Sequence, residues 1–215
     1  FFKKPDSSRV NMESSSAGFF RFKPTDGSCE LLSFDSPFKT VNPALRESYP
    51  KQRRNMRAVA QYWRHDSGPR PTLCVIHGFM ADPYWLNRLF FALPWFYAQG
   101  YDILLYTLPH HGKRQSRLSP FSGHGLFASG LSNLNESMAH AVYDFRIFMD
   151  YLESRGVSKI GVTGISLGGY TSALLAAVED RLHFSIPNVP VASLPDLVLE
   201  WYPMNLAIKT LLKLS

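Results

Sequence analysis

The chain has 215 residues, of which 45% are hydrophobic and 14% aromatic. This content supports one compact domain with a sizeable core and excludes a disordered chain, while the lack of any long apolar run predicts no membrane span. The net charge of +6 arises in the first 71 residues, which hold 13 basic and 7 acidic groups. The densest basic stretch, residues 51–57, has no interleaved aromatic residues. It therefore favours a solvated basic edge over an anionic membrane contact, and we expect no nucleic-acid partner.

The first part of the chain predicts little regular structure before residue 19. Residues 1–18 are rich in Ser, Lys and Asp, which is typical of a mobile lead-in, and we expect residues 19–215 to form a single domain. Apolar runs at 19–22 and 31–34 predict a hairpin, and residues 57–63 predict a third strand. Two cysteines are too few for a disulfide scaffold and favour a reducing compartment such as the cytoplasm.

From residue 72 onward, predicted strands alternate with predicted helices. Short apolar runs typical of strands buried on both faces lie at 72–76, 103–106, 159–163 and 182–186. This alternation predicts the α/β class, with a mostly parallel central sheet covered on both faces in a three-layer α/β/α arrangement.

The helices between these strands have predicted boundaries. Asp82, as an N-cap before Pro83, predicts a helix that runs toward Gly100 with an interruption at Pro94. Asn133 and Glu136 fit a capping box at the start of a helix that Gly156 ends. Further helices are predicted at 167–178, 196–200 and 204–214.

The sharpest chemical signal is the pattern G-x-S-x-G, with Gly164, Ser166 and Gly168, between a predicted strand and a predicted helix. A strand that turns directly into a helix strains the intervening residue, and small neighbours are needed where a Cβ atom would clash. Ser166 is then presented at the carboxyl end of the sheet, beside the N-terminus of the next helix. This placement predicts a nucleophilic serine.

Three alternatives compete with that interpretation. A phosphate loop would need a lysine where Tyr170 stands. A dinucleotide-binding pattern at residues 123–128 follows a loop instead of a strand. The remaining alternative is a glycine-rich helix start with an inert serine.

A nucleophilic serine also needs donors for the oxyanion. Gly78 lets the chain turn sharply after the strand at 72–76, which would direct the Phe79 N–H toward the pocket that receives the Leu167 N–H. We interpret His77 as a brace for this turn, with proton abstraction as the alternative.

These motifs together resemble the α/β-hydrolase superfamily over roughly residues 57–187. Residues 75–79 resemble its oxyanion turn, and residues 164–169 its nucleophile elbow. Residues 108–114 are similar to the loop after its fourth strand, although His110 replaces the first glycine and the preceding Asp is missing. The resemblance implies that Ser166 is the nucleophile, that the Phe79 and Leu167 amides form the oxyanion hole, and that an acid and then a histidine follow the serine.

The chain offers little after the serine to complete that set. His183 opens a predicted strand, where its ring could hardly reach Ser166, and Glu179 and Asp180 flank a helix end where we expect them to be solvated. Asp196 is the candidate acid. The family's last two strands would follow residue 215, so we expect the chain to be truncated at its C-terminus.

The function that we expect is a serine hydrolase acting on an ester or related acyl bond, with a non-catalytic binding scaffold as the alternative. No cofactor is required, and histidines expected in an exposed loop argue against a metal site: His110, His111 and His124. Aromatic residues near the site are consistent with a lipid-like substrate but equally with a core, and residues 201–214 are a candidate lid. The oligomeric state is left open.

Overall fold

A computed structural model describes residues 2–18, 22–127 and 130–193. Its strands are β1 (Glu13–Ser16), β2 (Gly27–Asp35), β3 (Arg57–His65), β4 (Thr72–Ile76), β5 (Asp102–Tyr106), β6 (Ile160–Ile165) and β7 (Leu182–Asn188). Its α-helices are α1 (Tyr84–Phe90), α2 (Leu93–Ala98), α3 (His124–Phe127), α4 (Gly130–Ser154) and α5 (Leu167–Val178). Short 3-10 turns lie at Ser7–Arg9, Pro43–Leu45, Tyr49–Lys51 and Gly112–Arg114.

These strands form one seven-stranded sheet in the order β1-β2-β3-β5-β4-β6-β7. The strands from residue 72 onward, β4 to β7, pair in parallel. The strands β1, β2 and β3 each run antiparallel to the strands beside them and extend the sheet past β5. The predicted α/β class with its parallel sheet is confirmed. Because β4 lies between β5 and β6, its carboxyl end is flanked on both sides by strands that end in the same direction, which is where α/β sheets bind ligands.

Each face of the sheet is covered by a separate part of the core. Alternate residues of β4 show this division: Leu73 and Val75 pack with α2, whereas Cys74 and Ile76 pack with α4 and α5. Such alternation follows from the two-residue period of a strand. The result is the predicted three-layer arrangement, with every residue of β4 and β5 buried.

The predicted hairpin between residues 19–22 and 31–34 is wrong. Residues 19–21 lie outside the described residues, and both edges of β2 are already taken, by β1 on one side and β3 on the other. Phe22 instead stacks its ring on Trp63, with ring centroids 4.2 Å apart. The strand β1 lies within residues 1–18, where the sequence predicts no strand. The prediction misses it because all of its residues are exposed and show no apolar alternation.

The predicted capping box of α4 is also wrong, because the helix begins earlier, at Gly130. The Asn133 amide donates to the carbonyls of Gly125 and Leu126, at 2.6 and 3.2 Å. The Glu136 carboxylate accepts from the backbone N–H groups of residues 41 and 42. Asn133 therefore ties α4 to the preceding helix α3, and Glu136 ties it to the distant loop at residues 41 and 42.

Asp82 does not cap α1, contrary to the prediction. Its carboxylate accepts a hydrogen bond from the Ser122 hydroxyl and so links the turn after β4 to the loop after β5. The predicted interruption near Pro94 is present, since α1 and α2 are separated at Ala92, which adopts a left-handed φ of 49°.

The predicted helices at 196–200 and 204–214, together with Asp196 and the candidate lid, lie outside the described residues. Among the residues that are described, no helix combines the length and the apolar character needed to cross a bilayer.

Candidate active site

Ser166 alone connects β6 to α5, since β6 ends at Ile165 and α5 begins at Leu167. Its backbone has φ 54° and ψ −112°, a conformation that non-glycine residues rarely adopt. A residue held in such a region stores strain, and strained residues cluster at functional sites. The strand-to-helix turn is the one that the sequence predicts, and Ser166 within it is half-buried.

The glycines around this turn are required by close backbone contacts. A Cβ atom on Gly164 would lie 2.3 Å from the carbonyl oxygen of Gly168, and one on Gly168 would lie 2.1 Å from that of Ile76. Neither position can hold a side chain without a shift of the main chain. The helix α5 can approach the ends of β4 and β6 this closely only because both residues are glycine.

The turn after β4 lies directly beside Ser166. A Cβ atom on Gly78 would be 3.7 Å from the Ser166 Cβ and 3.4 Å from the carbonyl oxygen of Ile165. Gly78 also accepts a hydrogen bond from the Ala81 N–H, at 3.1 Å, which closes the turn. The two segments that contain Phe79 and Leu167 are therefore neighbours at the carboxyl edge of the sheet.

His77 braces this turn through both of its ring nitrogens. Its Nδ1 lies 2.8 Å from the Gly78 carbonyl oxygen and donates to it, while its Nε2 accepts from the Leu108 N–H at 3.1 Å. Burial lowers the pKa of His77 below its ordinary value, so the ring is neutral at pH 7. With both nitrogens engaged, the ring has no atom left to take a proton from Ser166.

The expectation that His110 and His111 lie in an exposed loop is wrong, since both are buried. His110 adopts a left-handed φ of 65° at the position where the family motif has a glycine, and its N–H donates to the Asn55 side chain at 2.8 Å. Burial lowers the pKa of His110 to about 3. His111 donates from Nδ1 to the Pro109 carbonyl oxygen at 2.8 Å, and burial lowers its pKa as well.

No group of three or more metal-binding side chains occurs within the described parts of the chain. The third histidine of the loop, His124, is half-buried with its ring 5.3 Å from that of Phe121.

A buried charge cluster lies under the loop after β5, and no motif in the sequence predicts it. We use this name for the side chains of Ser36, Arg114, His140 and Asp144, together with the backbone carbonyl of Asn55. Arg114 and Asp144 are fully buried and 2.7 Å apart, and the guanidinium also donates to the carbonyl oxygens of Asn55 and Thr107. The only signal in the sequence is a His and an Asp four residues apart within the apolar stripe of α4.

The charges in this cluster stabilise one another. Burial acts to raise the pKa of Asp144, but His140 and Arg114 more than offset it and leave that pKa below its ordinary value. Burial lowers the pKa of His140 despite the nearby carboxylate. At pH 7 the cluster therefore holds an ionised Arg114–Asp144 pair and a neutral His140.

The aromatic residues expected near the site divide into two groups. The ring of Phe79 packs against those of Phe121 and Phe127, at 6.2 and 5.4 Å. Tyr84 points inward and its hydroxyl lies 2.8 Å from that of Thr107. Of the apolar residues expected at the rim, Met80, Trp85, Phe121 and Leu131 are exposed.

The groups after the serine do not complete a catalytic set within the described residues. His183 is exposed near the amino end of β7, about 16 Å along the strand from Asn188, whose carbonyl contacts Ser166. Glu179, expected to be solvated, is buried instead and pairs with Arg146 and Arg181. Hydrogen bonds from Arg181 overcome the effect of burial and lower the pKa of Glu179 to about 2.

A family model described as alpha/beta hydrolase domain containing 18 matches residues 21–195. The uncharacterized protein Rv2627c of Mycobacterium tuberculosis, strain ATCC 25618 / H37Rv, is 34% identical over 148 residues, which cover 67% of this chain and 35% of that protein. The uncharacterized protein MT2702 of strain CDC 1551 / Oshkosh matches to the same extent. The chain thus spans about a third of the length of the curated relatives that it matches.

Solved structures share the fold at low sequence identity. Acetyl xylan esterase 1 from Thermoanaerobacterium sp. JW/SL YS485 superposes with a TM-score of 0.57 at 20% identity, covering 94% of this chain and 61% of that one. The acetyl xylan esterase from Paenibacillus sp. R4 gives 0.59 at 15% identity, over 94% and 60%. FphF, a fluorophosphonate-binding serine hydrolase of Staphylococcus aureus, gives 0.53 at 19% identity, over 83% and 64%.

Proposed function

The chain belongs to the alpha/beta hydrolase domain containing 18 family, and we propose that it is a serine hydrolase that cleaves a carboxylic ester or related acyl bond. The observation that carries this proposal is the strained backbone of Ser166, with φ 54° and ψ −112°, at a one-residue turn beside the Gly78 turn. A structural serine in a loop has no need of such a conformation, whereas a nucleophile gains exposure from it.

The proposed reaction proceeds through an acyl-enzyme on Ser166. A general base removes the Oγ proton as Oγ attacks the acyl carbon, and the carbonyl oxygen becomes an oxyanion stabilised by the Phe79 and Leu167 N–H groups. Collapse of this intermediate breaks the ester bond and releases the alcohol with a proton. Water then attacks the acyl-enzyme, so that the acid leaves and Ser166 regains its proton. His77 is not the base, because both of its ring nitrogens are engaged.

The proposed substrate is a small molecule with an apolar acyl group, such as a lipid-like ester. Two exposed apolar side chains support an apolar acyl group: Met80, in the turn beside Ser166, and Phe121, whose ring packs against that of Phe79. Two of the structures that share the fold are named acetyl xylan esterases, which is in keeping with ester chemistry.

The test is covalent labelling of the full-length protein with a fluorophosphonate probe, with the labelled residue mapped by mass spectrometry. We expect labelling at Ser166 and its complete loss in Ser166→Ala, because the probe reacts only with an activated serine hydroxyl. Ser172→Ala is the matched control, since that buried hydroxyl in α5 donates to the Gly168 carbonyl oxygen at 2.8 Å. It should keep the label.

A non-catalytic binding scaffold is the second candidate. The observation that favours it is that His183 lies far from the serine along β7 and that both ring nitrogens of His77 are engaged, so neither histidine serves Ser166 as a base. Failure of a folded full-length protein to label at Ser166 would overturn the hydrolase and favour the scaffold.

A further inference from the structure

Asn188 lies at the end of β7, where it contacts the Ser166 turn from two sides. Its carbonyl oxygen accepts the N–H of Ser166 at 3.0 Å. Its side-chain amide reaches back to β6 and donates to the hydroxyl of Thr163 at 2.9 Å and to the carbonyl oxygen of Gly164 at 3.2 Å. One residue thus holds both the serine and the segment that precedes it.

The first turn of α5 also packs against Asn188. A Cβ atom on Gly169 would lie 2.6 Å from the Asn188 carbonyl oxygen, so α5 approaches β7 closely at this point. The Thr163 hydroxyl, which accepts from Asn188, in turn donates to the carbonyl oxygen of Ile186 at 2.8 Å. The end of β7, the end of β6 and the first turn of α5 are therefore joined through Asn188.

Strained residues lie on both sides of this junction. Ser166 has a φ of 54°, and Val189, directly after Asn188, has a φ of 41°. A β-branched residue at positive φ is an outlier that persists only where the surrounding structure holds it. Since the hydrogen bonds of Asn188 lie between these two positions, they are well placed to hold both.

We propose that Asn188 is a positioning residue for Ser166, whose side-chain amide fixes the end of β6 and thereby holds the serine in its reactive conformation. This inference rests on the proposed function and deepens it. It assigns no contact between Asn188 and the substrate. The expected effect is on the reaction step, because a misplaced nucleophile loses alignment without losing the binding surface.

The experiment compares Asn188→Asp and Asn188→Ala with Ser185→Ala in the full-length protein. Asn188→Asp keeps the size of the side chain but removes both amide protons that donate to β6. Ser185→Ala is the matched control, since Ser185 is also half-buried on β7 and its hydroxyl donates to the Ser172 carbonyl oxygen at 3.0 Å, away from the turn. The readouts are the maximal rate of fluorophosphonate labelling, the probe concentration at half-maximal rate, and amide hydrogen exchange over residues 163–170.

Both Asn188 variants should lower the maximal labelling rate by about tenfold or more, with little change in the half-maximal concentration. They should also speed exchange of the Ser166 amide, whereas Ser185→Ala should change neither. Equal labelling rates and equal exchange in all three variants would overturn the proposal. If the unaltered protein does not label at Ser166, the proposed function fails, and the exchange data alone decide whether Asn188 holds the turn.

Discussion

The Ser166 turn and the buried charge cluster hold a polar side chain in place by opposite means. At the turn, the main chain packs so closely around Gly164 and Gly168 that an added Cβ atom would lie 2.1 to 2.3 Å from a carbonyl oxygen, and this packing holds a strained, half-buried serine. In the cluster, Arg114 and Asp144 are fully buried and every charge has a partner. The turn depends on the absence of side chains, and the cluster depends on their complete pairing.

This difference separates the expected effects of substitutions. A side chain added at the turn displaces the serine but leaves the core charges paired. A side chain altered in the cluster leaves a buried charge without its partner, which costs far more free energy than a surface pair does. Reactivity and stability should therefore respond to different residues.

The largest effect on stability should come from Asp144→Asn. The substitution keeps the shape of the side chain but leaves the fully buried Arg114 guanidinium without a counter-charge. We expect a loss of about 3 to 5 kcal/mol in the free energy of unfolding, measured by denaturant titration.

The control for this prediction is Asp150→Asn, which removes a partly exposed partner of Arg181. It should cost less than about 1 kcal/mol. The fraction of Asp144→Asn that remains folded should still label at Ser166. A loss of labelling in that fraction would show that the two regions are not independent.

Among variants that keep Ser166, the largest effect on reactivity should come from Gly168→Ala. Its Cβ would lie 2.1 Å from the Ile76 carbonyl oxygen, so α5 must move away from β4 and carry Ser166 with it. We expect the rate of fluorophosphonate labelling to fall by about 100-fold, with a smaller loss of stability of about 1 to 3 kcal/mol.

Gly78→Ala is the matched comparison for Gly168→Ala. A Cβ atom at Gly78 makes only ordinary contacts, at 3.4 Å or more. This variant should keep most of the labelling rate, although Gly78 belongs to the motif of the oxyanion turn. Equal losses in the two variants would show that the close contact at Gly168 is not what places the serine.

The smallest effect concerns the pH dependence of stability. His110 has a pKa of about 3 in the folded protein, against about 6.5 when unfolded, so the unfolded chain takes up a proton that the folded protein does not. Its contribution to stability is present above about pH 6.5 and is lost as the pH falls toward 3, by up to ~1.4 kcal/mol per unit.

Thermal unfolding between about pH 7.5 and about pH 5 checks this prediction. His110→Asn should show a shallower pH dependence than the unaltered protein, and Asn tolerates the left-handed backbone found there. His183→Gln, which removes an exposed histidine of β7, provides the control for the loss of a histidine. An unchanged slope in His110→Asn would contradict the prediction.

Local patterns predict the strands β3 to β7 and the helix α5, because a strand buried on both faces and a helix stripe each have a periodicity visible in a short window. The capping assignments fail for a common reason. Asn133, Glu136 and Asp82 have the right residue types for caps. However, Asn133 bonds to the short helix before α4, and the two carboxylates bond to loops distant in sequence. A capping motif supplies a side-chain donor or acceptor, but it does not specify which group forms the hydrogen bond in the folded protein.

The loop after β5 shows the same limit. Adjacent histidines predict exposure on average, yet both are buried: the His110 N–H donates to the Asn55 side chain, and His111 donates from Nδ1 to the Pro109 carbonyl oxygen. The sequence contains Asn55 but gives no sign that it lies beside residue 110.

The sequence by itself determined the parallel sheet and the strained turn at Ser166, since both depend on residue types within a few positions of one another: an apolar run, a glycine on each side, and a serine between them. Only the tertiary structure decided which distant groups meet. The Ser36–Asp144 hydrogen bond and the contact of Asn188 with the Ser166 turn join segments whose distance is set by the strand order of the sheet. Strand order is a property of the whole chain, because it depends on which faces bury the most apolar surface together.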